Sequence, residues 1–165
     1  MAELTANSPD VAQVTDAEMG SFNHSYLQVR LGKLLDNEQY TACAELSLDL
    51  SHLDWDALGL KNRDEVKPDL CLFPKRGLSR PRDVLRMREV PLLAVEILSP
   101  RQGSDEILEK FQIYFALGIR SCWLVDPTLE AVAIYTSLDS RQIFTAGVIQ
   151  DPILDIQIEH GILFQ

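Results

Sequence analysis

Pro91-Leu92-Leu93-Ala94-Val95-Glu96-Ile97-Leu98 is the stretch on which the fold turns. Eight residues, all but one apolar and closed by Ser99-Pro100, have the length of a strand and the composition of one buried on both faces, as in the middle of a sheet layered with helices. Glu96 is then the anomaly. An ionised carboxylate inside such a strand is costly unless a cation or several hydrogen bonds answer it.

Working outward, Asp69 to Phe73 reads as the preceding strand, stopped by Pro74, and Tyr40 to Leu50 as the first, with alternating β-prone residues. A helix is expected from about Thr15 or Ser21 to Asp36, its Leu27, Leu31, Leu34 and Leu35 forming an apolar stripe that packs on the sheet. The irregular stretch 51–66 has room for a short helical turn. After the central strand, a second long helix is expected from Ser104, as N-cap, to Leu117, with Asp105 and Glu106 in its first turn and Gly118 ending it. Cys122 to Val125 resumes strand character. Residues 131–136 and 141–149 read as a terminal hairpin, and Ile153 to Phe164 as a segment packed on the body. Helix, three strands, helix, strand is an α/β order. The sequence predicts one domain over residues 15–165, preceded by a flexible tail over 1–14.

The 165 residues suffice for a core without staples. Neither a basic, apolar leader nor a span long enough to cross a bilayer is present, so a soluble cytoplasmic protein with no membrane partner is expected. Cys43, Cys71 and Cys122 stand far apart in apolar surroundings, which suits free thiols in a reducing compartment. His24, His52 and His160 are equally scattered, against a histidine-built zinc site.

Net charge is −10, which argues against broad electrostatic attraction to DNA or anionic lipid. The charge is uneven. Lys75, Arg76, Arg80, Arg82, Arg86 and Arg88 crowd one window with a single acid, Asp83, giving it +5 and the remainder −15. This loop is a candidate for nucleic-acid contacts, the plainer reading being a solvated loop that aids solubility.

Asp69 opens the strand before the one that holds Glu96, so side by side the two carboxylates fall at one end of the sheet. Each raises the proton affinity of the other, and a divalent cation between them reverses that preference, pointing to Mg²⁺ or Mn²⁺. The competing reading pairs Glu96 with a buried Lys or Arg and leaves Asp69 as a strand cap.

Lys67-Pro68-Asp69-Leu70, Val95-Glu96-Ile97-Leu98-Ser99-Pro100, then Asp105, Lys110, Tyr114, Gly118 and Trp123-Leu124-Val125-Asp126-Pro127 form an ordered set. Together they resemble the Uma-two family of restriction-endonuclease-like proteins, abundant in cyanobacteria and part of the PD-(D/E)XK nuclease superfamily. The resemblance runs from His24, which with Leu27 and Leu31 fits the family's first helix, to the C-terminus. It implies a central mixed β-sheet flanked by helices and a metal-dependent endonuclease that hydrolyses phosphodiester bonds, with DNA as the expected substrate.

The resemblance further implies that Asp69 and Glu96 ligate the metal and that the main-chain carbonyl of Ile97 adds a third oxygen, leaving places for water and phosphate. Leu98 stands where the superfamily signature carries its catalytic lysine. Lys110, on the following helix, is the expected substitute, against the plainer reading of an ion pair with Glu106 one turn away. Glu45 falls where the family often carries an acid; it either joins the metal shell or faces outward from its strand. Tyr114 is expected in the core with Ile107, Phe111 and Phe115, with positioning of Lys110 or contact with substrate as its functional alternative, and Trp123 is read as core rather than as a base-stacking platform. A homodimer offering two basic loops to one duplex fits the acidic surface. The rival function is a nuclease-like fold turned into a binding or assembly module without catalysis.

Overall fold

The computed structural model describes residues 20–165; the expected tail over 1–14 and the earlier helix start at Thr15 lie outside them. Helix α1 spans Phe22–Leu35, entered through Ser21, whose hydroxyl accepts from the His24 amide at 3.3 Å. Its Leu27, Leu31 and Leu35 are buried in a row. Strand β1 follows over Tyr40–Ala44, then β2 (Leu48–Asp49), the one-turn helix α2 (Trp55–Leu58), β3 (Glu65–Val66), β4 (Leu70–Pro74) and β5 (Leu93–Ile97). Helix α3 occupies Ser104–Leu117, and β6 (Ser121–Asp126), β7 (Ala131–Ser137) and β8 (Ser140–Phe144) complete the main sheet. The chain closes with β9 (Val148–Gln150), β10 (Gln157–Glu159) and the short helix α4 (His160–Phe164).

Six strands make one mixed sheet in the order β1-β4-β5-β6-β7-β8. All its neighbours are antiparallel except β5 and β6, which run parallel because α3 carries the chain back between them. Both faces are covered. Leucines of α1 pack on Leu70, Leu72, Leu93, Val95, Ile97, Trp123 and Val125, while Ile107, Phe111 and Tyr114 of α3 pack with Ala94, Cys122 and Tyr135. The central strand is therefore wholly buried, as its composition predicts.

Several boundaries differ from expectation, each for a local reason. Tyr40 to Leu50 is not one strand: Glu45 takes a left-handed conformation (φ 51°), which breaks the run into β1 and the two-residue β2 paired with β3. Ser104 is the first helical residue of α3 rather than its cap. Gly103 holds the N-cap position, with no side-chain bond there. Gly118 ends α3 as expected, at φ 100°, a conformation that favours glycine. The terminal hairpin is β7 with β8 only, because residues 148–150 leave it to pair with β10. Cys71 and Cys122 are buried and Cys43 half-buried, all three free, and burial pushes the Cys71 thiol up to about 12. No helix among the described residues is long and apolar enough to cross a membrane.

The C-terminal segment is fastened by a buried carboxylate. Asp151 accepts from the Ser121 hydroxyl, from Trp123 Nε1 at 2.7 Å, and from the amides of Ile153 and Leu154 at 2.7 and 2.8 Å. The loop before β10 is thus tied to the sheet beneath it, and Trp123 is core with its one polar atom satisfied. Replacing Asp151 by Ala strands these donors, and we expect a loss of about 3 kcal/mol or more in urea unfolding; an unchanged midpoint would remove Asp151 from this role.

Candidate active site

The antiparallel register that sets Leu70 of β4 against Val95 of β5 carries Asp69 to Glu96 one step further on. The sequence-predicted pair thus meets at the end of β5, where the chain leaves the sheet for α3. This is the carboxyl end of the one parallel strand pair, the edge at which open α/β sheets commonly build their sites.

Glu96 is 1% exposed and points to the α3 face. Its Oε2 accepts from Lys110 Nζ at 3.0 Å, and its Oε1 accepts from the Tyr114 hydroxyl. Lys110 and Tyr114 lie one turn apart on α3, so a single helix face supplies both partners. The Lys110 ammonium thus turns inward to Glu96 rather than along the helix surface to Glu106. Burial pushes the Glu96 carboxyl up to about 7; the Lys110 ammonium pulls against that, and the charge of Asp69 adds to it. Burial likewise holds the Tyr114 phenol well above its ordinary range, so it keeps its proton and donates.

Asp69 is held from the opposite layer. Its Oδ2 accepts the Ile97 amide at 2.7 Å and lies 3.1 Å from His24 Nε2, while its main-chain carbonyl accepts from Gln28 Nε2 at 2.9 Å. His24 and Gln28 stand one turn apart on α1. The hydrogen bond to Asp69 raises the His24 pKa, burial opposes it, and the charges of Asp69, Glu96 and Glu45 raise it further. The Glu45 amide also donates to the Asp69 carbonyl, at 3.3 Å. Glu45 therefore borders the site from an exposed bend after β1, not from a strand as the alternating pattern suggested.

Two carboxylates repelling one another at a buried strand end are the hard-oxygen donors that a small divalent cation prefers. No group of three or more His, Cys, Asp or Glu side chains that could hold a metal is gathered among the described residues. Among the described residues, the side chains brought together here are thus two anionic oxygen donors, Asp69 and Glu96.

The basic loop leaves β4 at Pro74, the far end of that strand from Asp69, so about 16 Å of sheet separates its start from the carboxylates. Four of its six cations have acidic partners: Lys75 with Asp36, Arg76 with Glu89, Arg86 with Glu65 and Arg88 with Asp49. Arg80 and Arg82 are exposed with no ion pair among the described residues. Sequence reasoning undervalued His24 and Gln28, although both interrupt the leucine stripe of α1 on its buried side. Tyr114 is core as expected, buried with Ile107 and Phe111, and its hydroxyl in addition binds Glu96.

A mixed six-stranded sheet flanked by helices, with carboxylates and a lysine converging at its edge, defines the fold class as restriction-endonuclease-like. The crystal structure of a "putative nuclease belonging to DUF820" from Anabaena variabilis ATCC 29413 superposes with a TM-score of 0.69 at 18% identity, covering 88% of this chain and 82% of that one. At that identity the likeness speaks for the fold. A family model described as "Uma2: Putative restriction endonuclease" matches residues 13–158. This chain belongs to that family. No curated protein matches it.

The raised Glu96 fixes a pH dependence of stability. The folded state retains a proton there to about pH 7, whereas an unfolded glutamate releases it near 4.5, so the folded state binds more protons between those values and stability falls as pH rises through that window. In EDTA, the midpoint of thermal melting should drop from about pH 5 to about pH 7.5, and Glu96→Gln should flatten the drop. A wild-type profile that rises across this range would contradict the assignment.

Proposed function

We propose that this protein is a divalent-metal-dependent endonuclease that hydrolyses phosphodiester bonds, with DNA as its substrate. The observation that carries the reading is the Lys110 ammonium 3.0 Å from the buried Glu96 carboxylate, beside Asp69. Acid, acid and lysine is the constellation of the nuclease signature, with the lysine supplied by α3 in place of Leu98.

Asp69 and Glu96 would hold Mg²⁺ or Mn²⁺, with the carbonyl of Ile97 as the backbone donor. The Ile97 amide is directed at Asp69, and in extended chain the carbonyl of the same residue faces the same edge. The cation would supply charge neutralisation at the phosphate and a more acidic bound water. Lys110 donates toward the charge that builds on the phosphoryl oxygens, a role for which a preorganised, partly buried cation is effective. Tyr114 fixes the Glu96 carboxylate, and His24 with Gln28 fixes Asp69, so neither acid can swing away when Lys110 turns to substrate. Glu45 sits close enough to add negative charge to the rim.

The basic loop is assigned to phosphates away from the scissile bond, because it begins at the other end of β4. Arg80 and Arg82 are its best-placed contacts; Lys75, Arg76, Arg86 and Arg88 would have to exchange protein carboxylates for phosphate. A homodimer would present two such loops to one duplex, doubling the local phosphate contacts of a chain whose net charge is −10.

One observation favours the rival, a non-catalytic binding or assembly module. Lys110 and Tyr114 already engage both oxygens of Glu96, an arrangement that satisfies the buried charge without a metal.

Two measurements separate the readings. Supercoiled DNA incubated with Mn²⁺ or Mg²⁺ should be nicked, with rates falling about 100-fold or more in Asp69→Ala, Glu96→Ala and Lys110→Ala; an inactive wild type on DNA and RNA alike would favour the module. Mg²⁺ or Mn²⁺ should raise the melting temperature of the wild type and not of Asp69→Ala, since a ligand bound only by the folded state stabilises it. An equal response in both proteins would defeat the metal site.

A further inference from the structure

Helix α1 carries a second stripe. Residues 22, 26, 29 and 33 fall in one arc of the helix, on the side opposite Leu27, Leu31 and Leu35. That arc faces solvent although its residues are large: Phe22 is 81% exposed, Tyr26 42% and Val29 59%. The Phe22 and Tyr26 rings stack with 6.1 Å between centroids. Arg30 steadies them, donating to the Tyr26 hydroxyl at 2.9 Å and to the Ile162 carbonyl at 2.6 Å, with its guanidinium over the Tyr26 ring. Exposed Leu129 and Ile162 border the strip on one side, by Asn23 and Arg30. Contiguous apolar patches of this kind on a folded domain mark interaction surfaces, and immobilised aromatics with an arginine are the side chains on which interfaces concentrate their energy.

We propose that this face is the isologous interface of a homodimer in which the α1 helices of two copies pack antiparallel. The inference takes up the homodimer of the proposed function and gives it a surface.

Three observations point to a second copy as the occupant. The stripe is self-complementary: a two-fold axis between Tyr26 and Val29 sets each Tyr26 ring on Val29 of the other copy and each Phe22 against Lys33, along about 16 Å of helix. Its charges are complementary under the same operation. Lys33, exposed at the C-terminal end of the stripe, meets the Phe22 end of the other helix, where exposed Glu130 lines the groove beside Phe22 and Tyr26. The pair occurs twice by symmetry. The strip also has room to grow: α1 alone falls short of the roughly 800 Å² per partner that stable interfaces bury, and Leu129 and Ile162 extend it on one side.

The arrangement leaves the active site open. His24 and Gln28 use the buried side of α1 to hold Asp69, so each copy keeps its own carboxylate pair and pairing stiffens the helix that orients it.

Light scattering on the full chain, without metal or substrate, tests this independently of cleavage. At high-micromolar concentration the wild type should show twice the 18.6 kDa chain mass, and Val29→Glu, at a position exposed on the stripe, should show the single mass and melt cooperatively at the temperature of wild type diluted below its dimer range. Lys33→Glu and Glu130→Lys should each weaken the dimer about tenfold, and the double reversal should restore it. A monomeric wild type, a Val29→Glu protein that stays dimeric, or a double reversal no tighter than either single change would overturn the proposal.

Discussion

The carboxylate of Glu96, buried in the central strand, is the constraint around which this molecule is arranged. A charge there would cost several kcal/mol with no partner, and the fold answers it with one face of α3: Lys110 and Tyr114 take one oxygen each. For both to arrive, α3 must lie across the sheet at that height. Ile107 and Phe111, buried against Ala94, Cys122 and Tyr135, set that position. The parallel pairing of β5 and β6 follows from the same helix, which returns the chain to the start of β6. Local chemistry and topology are thus tied at one residue.

Asp69 is answered from the other side of the sheet. Gln28 holds its main chain, and His24 and the Ile97 amide hold its side chain. The two acids therefore belong to different layers, one oriented by α1 and one by α3, and they meet only because the β4–β5 register brings them to the same strand end. Such a site reports on the packing of the whole domain. Loosening either helix misplaces one acid relative to the other, whereas neither helix alone carries a complete constellation.

Much of this was legible in the chain. The apolar octet ending at Leu98 marked the central strand, and the lone Glu96 within it marked the site, because a charge buried at such cost has to be matched by a partner. Asp69 followed from its position at the head of the neighbouring strand. What escaped has a physical cause. The break at Glu45 depends on one φ angle that the alternating pattern does not encode. Residues 148–150 resemble a continuation of the hairpin, and only their partner β10 draws them away. The roles of His24 and Gln28 require knowing that the N-terminal part of α1 passes over the β4 entrance, a tertiary fact with no local signature beyond two polar residues inside a leucine stripe. The basic window was plain in the sequence, but its place at the far end of β4 was not, because charge density carries no information about which strand end it decorates.

On the proposed function, a catalytic lysine carried by α3, with Leu98 at the strand position of the superfamily signature, would change what the site depends on. A lysine two residues after Glu96 would project from the same strand edge, and its distance from the carboxylate would be set by backbone pleat alone. From α3, the distance is set by helix docking, so the ammonium stays near Glu96 while its flexible stem would leave it room to swing toward a phosphate. Leu98 in turn becomes free to serve as packing, and it joins the cluster beneath α3. Leu98, apolar where the signature has a charge, thus adds to the apolar contact beneath the helix that carries Lys110.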